Sequence, residues 1–415
     1  MEDDPVTAIS IRRNLFAAAG LAFSAPVFPQ NSVTLYGVLD DTITYQSSQT
    51  SLGSTSGGRS NIKLLPGVWA GNRFGLKGSE DLGGGNKAIF QLESGFNLNT
   101  GAQQYTNALF GRQAWIGLTN PNYGTLTLGR QYTSYFTLLS PYSPTNLLTG
   151  SFGAHPGDVD SLDTGYRSNN SIAFTSPKIY GVTASGSYSL AGVPGSAYQG
   201  STWSAALQYA QGPVGGAVAF MRTNNSTNGG GPWGAESTTN SGGQSGVSAV
   251  TNGYQGAQAQ QRFAVALGYT FNDAWDISAT YSNVQYIPGI NSKFTDEAVF
   301  NTVGSVLHWK PTSAWDLGAG YSYTWTSKAN GIDQAATYHQ FNLSQYYSLS
   351  KRTGLYLLEA YQRSTGRTLG TPTFTAAGPV NRQIDATPAI GDGFNSAPSS
   401  SRSMFAAALG IIHRF

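Results

Sequence analysis

A period of two runs through most of the chain beyond residue 31, and no other feature limits the fold as much. In WDLGAGYSYTW, Trp315, Leu317, Ala319, Tyr321, Tyr323 and Trp325 share one face, and Asp316, Gly318, Gly320, Ser322 and Thr324 share the other. RFAVALGYTF sets Phe263, Val265, Leu267, Tyr269 and Phe271 against Ala264, Ala266, Gly268 and Thr270. WDISATYS does the same with Trp275, Ile277, Ala279 and Tyr281. Successive side chains of a strand point to opposite faces, so this pattern makes strands with one apolar face. The aromatics gather at strand ends with small or aliphatic residues between them, as in an apolar band flanked by aromatic girdles.

A soluble sandwich alternates too, so the links between strands decide. Sixteen segments carry the pattern, near 32–48, 69–80, 86–98, 109–119, 124–132, 170–176, 181–190, 202–210, 214–222, 262–271, 275–286, 300–309, 315–326, 337–349, 353–364 and 402–415. Every second link is a tight turn: LGGGN, NPNYG, SPKIYG, QGPVG, NDA, KPTSA and SKRTG. The others, including 46–70, 133–168, 223–261 and 365–401, are longer and rich in Gly, Ser, Asn and Pro. Short links on one rim and long links on the other belong to an up-and-down membrane barrel. The expected fold is therefore all-β, a transmembrane antiparallel barrel of sixteen strands. Closure leaves no unpaired backbone edge in lipid, and a barrel of this size leaves an aqueous channel.

Composition excludes several alternatives. Charged residues are 11% of the chain, against roughly 25% in soluble domains, while aromatics reach 12% and there are 52 glycines. The mean hydropathy of −0.23 does not suit a bundle of membrane helices. A net charge of +2 without a basic tract argues against nucleic-acid binding. The absence of cysteine is compatible with an outer-membrane or secreted protein. At the N-terminus, Arg12 and Arg13 precede LFAAAGLAFSAPVF, an apolar run of signal-peptide length and too short to span as a helix. The expectation is a signal peptide over 1–30, cleaved after Ser24, after Ala25 or near Gln30, and a single barrel domain over 31–415. The acidic opening MEDD departs from the usual basic start.

Several stretches resemble the general porins of Gram-negative outer membranes, in particular the trimeric sixteen-stranded group of beta-proteobacterial type. SVTLYGVLD is similar to that family's first strand, and NRFGLKGSEDLGGGNKAIFQLESGFNLNTG to its second and third. LFGRQAWIGLTNPNYGTLTLGRQYT resembles strands four and five, SKRTGLY the turn before strand fifteen, and HRF the terminus. The resemblance covers essentially all of 32–415 and is densest in the first third. It implies a homotrimer of barrels in the outer membrane, among lipid and lipopolysaccharide, each pore narrowed by the third long loop folding inward. It also implies that Phe415 is part of the signal read by the outer-membrane assembly machinery. Loops 223–261 and 365–401 are longer and richer in Gly and Ser than the family pattern, and Ile412 stands where a polar or basic residue is commoner.

The resemblance makes 133–168 the constriction loop, with Asp158, Asp160 and Asp163 as its acids. Rings of charged side chains are a known selectivity device, and solvated Asx turns are the alternative for these three. Their Asp-x-Asp-x-x-Asp spacing lacks the closing Glu of a calcium loop, so no metal site is expected. For the basic wall, alternation is a test. Phe74 and Leu76 belong on the lipid face, which puts Arg73 and Lys77 in the lumen. Ile172 and Phe174 likewise put Arg167 inside. Arg112 and Arg130 share parity with Ile116 and Leu118, and with Leu126 and Leu128. Either a bulge intervenes or those apolar residues face a lumen packed by the loop, since a lipid-facing Arg near the midplane costs roughly 2–4 kcal/mol.

Catalysis is poorly supported: His155, His308, His339 and His413 lie far apart, with no catalytic order or metal-ligand spacing. GLKGSEDLGGG sits on a strand and turn and is no phosphate loop. The expected function is a non-enzymatic channel without cofactor, passing small hydrophilic solutes and ions down their gradients with mild anion preference. The alternatives are a substrate-specific porin, a surface-interaction or adhesion protein acting through its long loops, and an outer-membrane hydrolase built on a barrel.

Overall fold

The computed structural model describes residues 32–415 except 164–165, 232, 234–247, 371–372, 376–377, 381, 393–394 and 396. The signal-peptide expectation for 1–30 lies outside the described residues.

The chain forms one closed antiparallel sheet of sixteen strand positions. They are β1 (Ser32–Gln49), β2 in two halves (Arg59–Pro66 and Arg73–Gly83), β3 (Asn86–Gly95), β4 (Gln113–Asn120), β5 (Gly124–Tyr132), β6 (Arg167–Thr175), β7 (Val182–Ser189), β8 (Thr202–Gln211), β9 (Val214–Asn224), β10 (Ala259–Asn272), β11 (Trp275–Ile287), β12 (Ala298–Trp309), β13 (Trp315–Thr326), β14 (Thr337–Ser348), β15 (Thr353–Thr365) and β16 (Ser403–Arg414). Each pairs with the next, and β16 closes on β1 through a ladder from Val38–Arg414 to Gln46–Ala406. Among the described residues no helix is long and apolar enough to cross a membrane, so the crossing is made by strands.

The faces follow the alternation. On β13 Tyr321 is exposed while Ser322 and Thr324 are buried; on β14 Phe341 and Leu343 are exposed while Gln340, Asn342 and Ser344 are buried. An apolar exterior around a polar interior inverts the soluble arrangement and requires a lipid surround. Trp275 stacks on Trp309, with ring centroids 5.2 Å apart, and Trp315 tilts against Tyr347 at 4.9 Å, beside the short turns.

One expected link is corrected. Residues 46–70 are not a single loop, because Arg59–Pro66 pairs with the upper half of β1 and Arg73–Gly83 with its lower half. The intervening PGVWAGN turns inward. Asp40 causes the break: its Oδ2 accepts the N–H groups of Trp69 and Ala70 at 2.8 Å each, and its N–H donates to Asn72 Oδ1 at 2.6 Å. Trp69 then packs against Tyr346 and Tyr356, with centroids 4.9 and 5.0 Å away. Ile412 belongs to the same inward apolar cluster, with Val38, Tyr346 and Tyr356, which accounts for an apolar residue at that position.

The third long loop, 133–166, folds inward. Thr133 caps helix α1 (Ser134–Leu139), its Oγ1 accepting from the Phe136 N–H. Tyr135, Leu138 and Leu139 pack on Ala206, Ala217, Ala219, Ala264 and Ala266 of β8–β10. Small residues on that inner face leave the room the helix fills. Farther on, Gln340 Nε2 donates to the carbonyls of Phe152 and Ala154 at 3.0 and 2.7 Å, and Ser151 N–H donates to Val68 O at 2.8 Å. The loop is thus tied to the inner wall at β8–β10, at β14 and at the β2 break.

Candidate functional site: the constriction

The loop, the β2 break and the inner wall enclose a cavity of about 590 Å³, lined on one side by Arg73, Arg112, Arg167 and Tyr132. Arg73 opens the lower half of β2 directly after the break, so the inward turn sets its position. Arg112 Nε donates to Glu93 Oε1 at 2.7 Å, and Arg73 Nε lies 3.8 Å from Glu93 Oε2. Tyr36 OH donates to Glu93 Oε2 at 2.9 Å. One carboxylate therefore serves two guanidinium groups. Arg167 Nη1 donates to Tyr105 OH at 2.8 Å and Nη2 to Tyr132 OH, with its guanidinium 4.3 Å above the Tyr132 ring. Hydrogen bonds to phenols and ring faces hold a guanidinium in place without neutralising it.

The parity conflict at Arg112 and Arg130 is resolved by irregular backbone. Ile116 and Leu118 are 62% and 57% exposed, so they face lipid and their row is the outer one. Arg112 lies before the first residue of β4, where the chain bends and alternation no longer applies. At Arg130 the β5–β6 register shifts between Gly129 and Gln131, with Asn170 as the extra residue, its φ at +51°. The Arg130 side chain donates to Gly111 O at 2.6 Å and Asn169 Oδ1 at 2.9 Å, and lies 5.2 Å from the Tyr105 ring. It adjoins the cluster through Tyr105 without lining the cavity. Lys77 is farther down β2 toward the short turns, its Nζ 5.5 Å from the Tyr36 ring.

The three loop acids separate. Asp163 lines the cavity. Asp158 is buried and accepts from the Asp163 N–H at 3.1 Å. Asp160 is fully buried and turned to the wall: its Oδ2 accepts from Ser282 Oγ at 2.7 Å and lies 2.6 Å from His155 Nδ1. Burial works against charge on both members of that pair. The mutual attraction outweighs it, lowering the Asp160 carboxyl and raising the His155 imidazole from their ordinary values. His155 Nε2 lies 3.3 Å from Thr280 Oγ1, and a Cβ at Gly304 would come within 2.4 Å of it. Carboxylate, imidazole and hydroxyl stand in the order used for nucleophilic catalysis, but in a packed seam between loop and wall. The arrangement is a fastening for the loop.

Sequence reasoning missed Glu93 and Arg262. Glu93 shares inner parity with Gln91, and Arg262 alternates with outward Phe263, so the test applied to Arg73 finds both. Arg262 is fully buried beneath the loop, its Nε donating to Val159 O at 3.3 Å. Asp392, another cavity-lining residue, lies in irregular loop backbone where no alternation marks it.

The family model described as Gram-negative porin matches residues 14–367. This chain belongs to the Gram-negative porin family. An outer membrane porin protein of Bordetella pertussis is 28% identical over 386 residues, covering 85% of this chain and 95% of that protein. Outer membrane porin protein 32 of Delftia acidovorans is 31% identical over 186 residues, covering 43% of this chain and 49% of that one. Among solved structures, the anion-selective porin from Comamonas acidovorans superposes with a TM-score of 0.65 at 20% identity, covering 93% of this chain and all of that one. That last likeness concerns the fold. As an outer-membrane porin of Gram-negative type, the protein forms a water-filled channel for passive diffusion of small hydrophilic solutes. Family and relatives point to a channel without enzymatic activity.

Proposed function

We propose that this porin is a mildly anion-preferring diffusion channel, carries out no catalysis, and works as a homotrimer with one pore per subunit. The observation that carries the preference is the row of Arg73, Arg112 and Arg167 on one side of the cavity, with Glu93 as its nearby carboxylate. Arginine stays charged at any working pH, and a fixed row of guanidinium groups raises the local concentration of anions. Arg130 and Lys77 add positive potential from outside the cavity. Asp163 lines the same cavity and offsets part of the row's charge; Asp158 and Asp160 hold the loop in place. The Comamonas porin named for anion selectivity supports the reading by analogy, and an outer membrane protein of Vibrio cholerae in trimer form supports the assembly. Lipid and lipopolysaccharide surround the exposed apolar belt, and Phe415 takes part in recognition by the assembly machinery.

Reversal potentials across planar bilayers under a salt gradient test the preference. A chloride-to-potassium permeability ratio above one is expected. A ratio clearly below one overturns the preference, and absence of conductance overturns the open pore.

A further inference from the structure

The described residues of the long loop between β15 and β16, 366–402, do not project away from the barrel. Arg367–Leu369 pairs with Gln383–Asp385, and Ala389–Ile390 with Ala397–Pro398. Ser364 Oγ on β15 donates to Ala386 O, and the Ala389 N–H donates to Gln362 Oε1, both at 2.6 Å. Ile390 is fully buried in a cluster with Phe152 of the inward loop, Leu358 of β15 and Met404 of β16. Leu369, Ala386 and Ala389 join a second cluster with Tyr254, Phe300 and Tyr338. The loop is thus packed onto the inner face of the barrel by an apolar underside.

From that anchorage Asp392 and Asn395 enter the cavity wall. Asn395 N–H donates to Asp392 Oδ1 at 2.6 Å, and Asn395 Nδ2 donates to Gly67 O at 3.2 Å, in the break of β2. The loop therefore reaches from β15 to the opposite side of the β1–β16 closure. Asp392 is 7% exposed, and its carboxyl is hydrogen-bonded to that of Asp163. The same cavity is lined by Arg73, Arg112 and Arg167.

We propose that the 366–402 loop is a second constriction element of this porin, and that Asp392 is a selectivity-determining residue which, with Asp163, supplies the acidic part of the passage that the three arginines also line. The inference rests on the diffusion-channel reading. Two loops from distant parts of the chain then set one cross-section, and both its width and its charge depend on how the 366–402 loop is docked. A charge beside a narrow path with low-dielectric walls governs which ions enter far more than one on an open vestibule.

The chain has no cysteine, so Asp392→Cys introduces a sole thiol. The variant is reconstituted in planar bilayers and treated with a trimethylammonium-bearing or a sulfonate-bearing methanethiosulfonate, with labelling checked by mass. Either reagent is expected to reduce single-channel current by about half, the cationic one raising and the anionic one lowering the chloride-to-potassium permeability ratio about two-fold. Asp385→Cys is the control, exposed on the same loop and paired with Arg402 at 3.0 Å, and its labelling is expected to change neither value. Full modification at position 392 with unchanged current and ratio overturns the proposal. If Asp392→Cys does not assemble, Asn395→Cys gives the same readout of occlusion. Loss of all conductance in the unmodified wild type would instead count against the open channel.

Discussion

Phe415 lies over Gly37. The two backbones exchange hydrogen bonds, Gly37 N–H to Phe415 O at 3.0 Å and Phe415 N–H to Gly37 O at 3.1 Å. A Cβ at Gly37 would stand 2.3 Å from Phe415 Cζ and 2.7 Å from Arg73 O. The seam that closes the barrel is thus bounded by an aromatic ring occupying the space a side chain would need. Gly37→Ala is expected to destabilise the barrel by about 1–3 kcal/mol, the usual range for overpacking a filled site. Phe415→Ala should recover part of that loss, because the ring is one of the two obstacles. The heat-induced mobility shift on electrophoresis measures both, and a Gly37→Ala protein as heat-resistant as the parent would refute the contact.

Glu93 is the counter-charge for Arg112 and stands near Arg73, with the Glu93 and Arg112 side chains both buried. Removing one member of such a buried pair leaves an uncompensated charge and costs about 3–5 kcal/mol. Glu93→Gln should therefore lower the urea midpoint of the folded barrel, and in channels that do fold it should raise the chloride-to-potassium permeability ratio. The two effects share a cause. An unchanged midpoint together with an unchanged ratio would mean that Glu93 is not the compensating charge.

What the sequence made legible follows from how regular each region is. Where the ladder is unbroken, alternation places individual side chains correctly, as for Tyr321 against Ser322 or Phe405 against Ala406. It fails where the backbone leaves the ladder. The β2 break contains Val68 and Trp69, which by composition continue a strand, and it is the carboxylate of Asp40, distant in sequence, that draws their backbone inward. Arg112 and Arg130 had the wrong parity because a bend and a bulge intervene. The carboxylates of the inward loop looked equivalent as residue types, and only the wall they meet distinguishes Asp160, bonded to His155 and Ser282, from Asp163 in the cavity. Asp392 had no periodic frame to be read against.

The His155–Asp160 fastening makes loop attachment depend on pH. The His155 value is raised on folding, so its contribution is full below about pH 6.5 and is lost as pH rises through the folded value. The Asp160 value is lowered, so its contribution is present above about pH 3.9 and is lost as pH falls through the folded value. Attachment is therefore expected to be firmest between those limits and to loosen on both sides. Current noise and protease sensitivity of the 133–166 loop should pass through a minimum in that window. In Asp160→Asn both should be higher and lose the acidic limb, whereas a parent-like acidic limb in that variant would exclude Asp160 as the titrating partner.

Ion preference should also change with pH, for a separate reason. Burial, and then the charges of Asp392 and Asp158, push the Asp163 carboxyl well above the usual carboxylate range, so the Asp163–Asp392 pair holds a proton where isolated acids would not. Among the described residues, the other charged groups lining this cavity are Arg73, Arg112, Arg167 and Glu93, the last held by Arg112. With one proton on the pair, three positive charges face two negative ones, a small excess favouring anions. Raising the pH removes that proton and cancels the excess; lowering it neutralises the remaining carboxylate and enlarges the excess. The chloride-to-potassium permeability ratio should therefore fall as pH rises through the pair's raised carboxyl value. Replacing both acids by Asn should flatten the curve at the anion-preferring level. A slope that persists in the double variant would place the titrating group elsewhere in the pore.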